Sequence, residues 1–167
     1  MRKVLLTPRQ PDVILEIARA LTPPGFALTI ANPGTPEFLQ ASADADYFLG
    51  FARGMGNEFF RSAPKLKLVQ LTSAGYDQVD VEAARKAKVP VANNGGANAI
   101  AVAEHTLMLM LAVMKKLVWH HNNVVGGRWR VGDFAETRTS ELAGKTVGII
   151  GLGNIGKKVA RRVAGFD

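Results

Sequence analysis

The chain has 167 residues, 47% hydrophobic and 21% charged, a balance that supports a globular core and excludes a disordered chain. It contains no cysteine, which excludes a disulfide framework or a thiolate metal site and suits a reducing compartment. A net charge of +7 favours anionic partners such as phosphate-bearing cofactors or carboxylates, yet no basic patch is interleaved with aromatics, so nucleic acid is not expected.

In chain order, KVLLT (3–7) reads as a short buried strand stopped by Pro8. DVILEIARAL (12–21) has helical spacing, with Asp12 placed to cap it. After the PPG turn at 23–25, FALTIA is a second strand, and TPEFLQASA a short helix with Thr35 as cap and Pro36 at its first position. DYFLGF gives a third strand, GNEFFRSAPKL a turn or two of helix ended by Pro64, and LKLVQLT (66–72) a fourth strand. DVEAARKAK is a helix capped by Asp80, and VPVANN a fifth strand. Strands apolar on both faces, alternating with helices, predict an α/β fold: a doubly wound, open parallel sheet covered by helices.

From Ala97 the pattern changes. ANAIAVAEHTLMLMLAVMKKLVWHHNN reads as one helix of about two dozen residues, apolar nearly all round and therefore buried between bodies. GGRWRVGDFAETRTSELAG is a polar connector, and KTVGIIG starts a new strand. The predicted division is residues 1–97 for the first domain and 98–167 for the start of a second, which one strand and one helix leave unfinished. The proline-interrupted start does not read as a signal peptide, and TLMLMLAVM (106–114) is too short to span a bilayer. A cytoplasmic protein with no membrane partner is expected, and no residue set suggests a metal.

Gly151, Gly153 and Gly156 form G-x-G-x-x-G between an apolar strand and a helix, the context a dinucleotide fingerprint requires. The first glycine permits the turn, the second leaves room for a pyrophosphate, and the third lets helix pack on strand. Asn154 and Ile155 open the helix, where free N–H groups favour phosphate. A tight turn with no ligand remains the alternative. The acidic residue that would select the ribose belongs about 20 residues beyond the motif's start. Asp167 falls too early for it, so NAD and NADP stay equally open.

Three segments in register, LVQLTSAGYDQVDVEAA (68–84), VPVANNGGANAIAVAEHTLMLML (89–111) and ELAGKTVGIIGLGNIGKKVA (141–160), resemble the D-isomer-specific 2-hydroxyacid dehydrogenase family. The resemblance implies a flavodoxin-like substrate domain followed by the start of a Rossmann NAD-binding domain, with an active site in the cleft between the two. It implies that Ser73, Ala74 and Gly75 hold the substrate carboxylate through their backbone N–H groups. It places Val102 beside the nicotinamide, although helix pattern alone makes that residue core. Asn98 and Glu104 match polar landmarks of the long helix, Asn98 as a possible cap and Glu104 as a structural residue. Arg53 reads either as a solvated arginine or as a second partner for an anionic substrate.

The family's catalytic arginine, glutamate and histidine would lie beyond residue 167, so no catalytic residue is assigned here, and His105, His120 and His121 do not match that role. Ala74 stands where phosphite-oxidising relatives carry lysine, and the N-terminal extension of formate-oxidising relatives has no counterpart. The implied substrate is a small 2-hydroxy or 2-oxo acid, oxidised or reduced with NAD or NADP. The implied assembly is a homodimer formed through residues 98–145, and the 167-residue chain alone is expected to be inactive. Two alternatives are a corepressor-like protein that senses NAD, or a partner-binding α/β module, without catalysis. A flavin carrier is disfavoured because TPRQP, after the first strand, is no phosphate loop.

Overall fold

A computed structural model describes every residue except Ala52, Gly54 and Asp167. The chain divides into two compact units, Met1–Gly95 and Gly96–Asp167.

The first unit is built on a parallel five-stranded sheet: β1 (Arg2–Thr7), β2 (Phe26–Ile30), β3 (Tyr47–Gly50), β4 (Leu68–Leu71) and β5 (Val91–Ala92), in the order β2-β1-β3-β4-β5. This is the flavodoxin-like doubly wound order. Leu5, Phe48, Val69 and Leu71 on the strands pack with Phe59 and Phe60 of α3 (Asn57–Ser62) and Ala83 and Ala84 of α4 (Val81–Lys86). The Phe59 ring meets those of Phe48 and Phe60 edge-on, with centroids 5.4 and 5.2 Å away, the arrangement favoured by the ring quadrupoles.

Helix ends follow local chemistry. In α2 (Pro36–Asp44) the Phe38 N–H donates to Thr35 Oγ1 at 3.2 Å, and in α4 the Ala83 N–H donates to Asp80 Oδ1 at 2.8 Å. In α1 (Asp12–Leu21) the cap position belongs to Pro11, and Asp12, the predicted cap, is the first helical residue. Its carboxylate instead accepts from Arg9 Nη2 at 2.7 Å, where it still complements the helix dipole.

β1 and β3 meet with Thr7 opposite Gly50, where a Cβ on Gly50 would overlap the Thr7 carbonyl oxygen. Glycine is required there by close backbone approach. The chain leaves β1 towards β2 on one side and reaches β3 on the other, so the topological switch point lies between these two strands.

In the second unit the predicted single helix is two: α5 (Ala99–Met114) and α6 (Leu117–Val125). The break is at Lys116, whose φ of 47° is left-handed and whose Nζ donates to the Ala135 and Glu136 carbonyls at 3.0 and 2.6 Å. A connector that lies alongside thus wins over helix continuation. Along this segment Ala99 and Ala103 are buried, whereas Ile100, Met108, Leu109, Val113, Leu117 and Val118 are exposed in the chain by itself.

The polar connector contains a short helix, α7 (Phe134–Thr137), held by a capping box between Asp133 and Glu136. KTVGIIG forms no strand among the described residues. A strand exists through its ladder partners, and no described residue pairs with it. The last long element is α8 (Asn154–Val163), joined to α5 by Arg162 Nη2 donating to Glu104 Oε1 at 3.0 Å. Glu104 is therefore a structural partner of α8. Among the described residues, no helix is long and apolar enough to cross a membrane.

Candidate functional site

Parallel strands end together, and the loops leaving them gather at one edge. In the first unit those loops enclose a cavity of about 700 Å³ beside the β1–β3 switch point. Thr7 and Pro8 leave β1, Pro33 follows β2, Phe51 and Arg53 follow β3, and Ser73, Gly75, Asp77 and Gln78 follow β4. Ligands of open α/β sheets bind outside the carboxyl ends of the strands at such a point. The structure thus brings three of the four predicted substrate-side residues, Arg53, Ser73 and Gly75, to one cavity. Ala74 lies in the same loop but is not among the residues lining the cavity.

The loop after β4 is organised by its carbonyl groups. Thr72 O accepts from Asn94 Nδ2 at 3.5 Å, Ser73 O from the Asn94 N–H at 3.0 Å, Ala74 O from Asn93 Nδ2 at 2.7 Å, and Gly75 O from Ser73 Oγ at 2.9 Å. Among the described residues, the N–H groups of Ala74, Gly75 and Tyr76 have no acceptor. Consecutive unpaired N–H groups beside a cavity form a concave site for an anion. The Arg53 guanidinium adds a cation at the same cavity, and the Asp77 carboxylate an anion near Gly75. Phe51, Pro8 and Pro33 give it apolar wall. Sequence reasoning missed Asn93 and Asn94, which it assigned to the fifth strand. Their signal was position: two side-chain amides at the end of the fifth predicted strand, followed by two glycines.

The second unit carries the glycine turn. Gly151 has a φ of 89°, a conformation that favours glycine. A Cβ on Gly156 would overlap the Gly151 carbonyl oxygen, so that glycine lets helix and turn meet. A Cβ on Gly153 would meet nothing within 4 Å. No contact among the described residues requires glycine at 153, and the open space suits a pyrophosphate. The first backbone bond of α8 is Lys157 N–H to Gly153 O at 3.1 Å, and no side chain caps the helix. The N–H groups of Asn154, Ile155 and Gly156 are thus without acceptors among the described residues, as phosphate binding requires. These residues fit a dinucleotide.

Val102 is half-buried, and its carbonyl accepts from Thr106 Oγ1 at 2.7 Å. Asn98 precedes α5, but its side chain does not cap it, contrary to expectation. Gly96, with a φ of 92°, packs against Asn154, whose Nδ2 would lie 2.8 Å from a Cβ there. Asp167 lies outside the described residues. Among the described residues, no cluster of three or more His, Asp or Glu side chains is arranged to hold a metal.

The family model for "D-isomer specific 2-hydroxyacid dehydrogenase, catalytic domain" matches residues 12–167. Formate dehydrogenase of Chaetomium thermophilum is 41% identical over 107 residues, covering 63% of this chain and 29% of that protein. D-3-phosphoglycerate dehydrogenase of Mycobacterium leprae is 37% identical over 138 residues, covering 82% of this chain and 26% of the relative. The chain therefore spans less than a third of the length of these curated relatives. Among solved structures, NAD-dependent formate dehydrogenase from Staphylococcus aureus in complex with NAD superposes with a TM-score of 0.80 at 27% identity, covering 100% of this chain and 54% of that one.

Proposed function

Because the chain belongs to the D-isomer-specific 2-hydroxyacid dehydrogenase family, we propose that it is the substrate-holding part and the start of the cofactor-holding part of an NAD(P)-dependent oxidoreductase acting on a small 2-hydroxy or 2-oxo acid. The observation that carries this reading is the loop at 73–75, whose carbonyls are engaged and where the N–H groups of Ala74, Gly75 and Tyr76 have no acceptor among the described residues, at a switch-point cavity. A carboxylate held by these amides would be fixed in orientation, and Arg53 offers a second charge. Gly151, Gly153, Asn154, Ile155 and Gly156 would hold the dinucleotide pyrophosphate, with Val102 beside the nicotinamide. When bound, the nicotinamide supplies hydride acceptance and donation.

The cavity's apolar wall of Phe51, Pro8 and Pro33 suits a substrate with a short carbon chain. The similarity to formate dehydrogenases keeps formate among the candidates, as a carboxylate the same amides would accommodate. Among the described residues that line the cavity there is no histidine, so general acid–base catalysis is assigned to no residue here. On this reading the 167-residue chain binds but does not turn over, and it self-associates through residues 98–145.

A panel of D- and L-2-hydroxy acids and formate, with NAD and NADP, tests the reading by absorbance at the reduced-nicotinamide band. The assay compares the 167-residue chain with a protein that carries it and continues through the cofactor domain. Turnover by the longer protein, with preference for the D-isomer of any chiral acid, is the expected result. Turnover by the 167-residue chain alone would refute the division of roles. Absence of turnover by the longer protein with every acid and both cofactors would refute the oxidoreductase assignment.

A further inference from the structure

We propose that Asn93 is the positioning residue of the anion-holding loop: its side-chain amide sets the peptide unit whose N–H meets the substrate carboxylate. This inference rests on the reading that residues 73–75 hold that carboxylate, and deepens it. Asn93 makes no bond to the anion itself. It acts through Ala74, whose carbonyl accepts from Asn93 Nδ2 at 2.7 Å.

In a trans peptide the C=O and N–H of one unit point in opposite directions. Pinning the Ala74 carbonyl towards Asn93 therefore turns the Gly75 N–H the other way. The neighbouring units are held likewise: the Asn94 N–H engages Ser73 O at 3.0 Å, and Ser73 Oγ engages Gly75 O at 2.9 Å, which orients the N–H groups of Ala74 and Tyr76. Of these three donors, the Asn93 amide is the one that comes from a side chain outside the loop and can be removed without altering either backbone.

The position also suits the task. Asn93 follows β5 directly, and β5 pairs with β4 through Val69–Val91 and Gln70–Ala92. The donor is thus carried by a paired strand while the acceptor lies in a short, glycine-bearing loop. Without the donor, the 74–75 peptide can rotate, because Gly75 imposes little backbone restriction and Ala74 is exposed. Rotation turns a carbonyl dipole towards the anion in place of an N–H. Binding then carries the cost of re-forming the loop, with little change in the fold.

The test uses the 167-residue chain and sodium glycolate as probe, followed by the amide resonances of Ala74, Gly75 and Tyr76 in ¹⁵N–¹H spectra. Thermal midpoints are measured on the same samples. In the parent chain these amides should shift saturably. Asn93→Ala should weaken binding about tenfold, the worth of one charge-assisted hydrogen bond, with little change in midpoint. Asn93→Gln, which restores the donor on a longer stem, should recover most of the affinity.

If the parent chain shows no saturable shift at 74–76, the carboxylate reading fails and takes this inference with it. If the parent binds and Asn93→Ala binds equally well, the loop reading stands and the positioning role is overturned. A fall in thermal midpoint that accounts for the lost affinity, or failure of both variants to fold, makes Asn93 structural and also overturns it.

Discussion

At the scale of single residues, the three glycines of the turn have separable roles, so their substitutions should differ in kind. Gly153 has ordinary backbone angles and open space at its Cβ position. Gly153→Ala should therefore leave thermal stability unchanged while weakening dinucleotide binding, as read by calorimetric titration of a protein with a completed cofactor domain. Gly156→Ala places a methyl group on the Gly151 carbonyl and should lower stability by about 2 kcal/mol, the scale of an overpacked contact. Equal loss of stability in both would refute the distinction. The pattern G-x-G-x-x-G was legible in the sequence because the turn is local. Asn93 and Asn94 were not, since their partners Thr72, Ser73 and Ala74 lie about twenty residues away and become neighbours only when β4 and β5 pair.

At the scale of elements, the start of β1, the end of α2 and the start of β3 and β4 are tied at the opposite end of the sheet from the cavity. Asp44 accepts from Lys65 Nζ at 2.6 Å and from Lys3 Nζ, while Asp46 accepts from Lys67 Nζ at 2.7 Å and the Lys3 N–H at 2.9 Å. The Lys67 hydrogen bond first, and the Lys3 backbone N–H second, hold the Asp46 carboxyl below its ordinary value of 3.8. A carboxyl lowered in the folded state binds its proton more readily when unfolded. Its stabilisation is therefore full above the unfolded value and is lost as pH falls through the folded value. Asp46→Asn should accordingly flatten the acid limb of stability against pH below about 5 and cost most near neutrality, measured by urea unfolding across pH. An unchanged acid limb would show that Asp46 does not contribute to it. Nothing in the strand pattern announced this network, because charges at strand ends read as ordinary solvated surface. Helix ends were more legible: Thr35 and Asp80 cap as their spacing implied, while the Asp133-to-Glu136 capping box was passed over within a polar connector.

At the scale of the whole molecule, the two units differ in how much of their apolar surface they cover themselves. In Met1–Gly95 a sheet and its helices bury one continuous cluster, and alternating strands and helices made that architecture readable from periodicity. Among the described residues of the second unit, the buried apolar ones are Ala99, Ala103, Leu142 and Val159, while Val113 is 77% exposed, Val118 70% and Val125 73%. The apolar run was legible, but its length implied a continuous buried helix; the break at Lys116 depends on carbonyls about twenty residues later. Apolar surface of this extent is what the proposed self-association would cover. Leu117 and Val118 on α6 are both exposed and lie within residues 98–145, the stretch proposed to self-associate. Sedimentation equilibrium of the 167-residue chain should therefore show a discrete dimer. Val118→Glu, which buries a charge in that contact, should weaken it about tenfold or more without unfolding the first unit. A monomer at about 100 μM would overturn the proposed pairing, as would a mixture of ever larger species, since a two-fold contact closes on itself and an indiscriminate apolar surface does not.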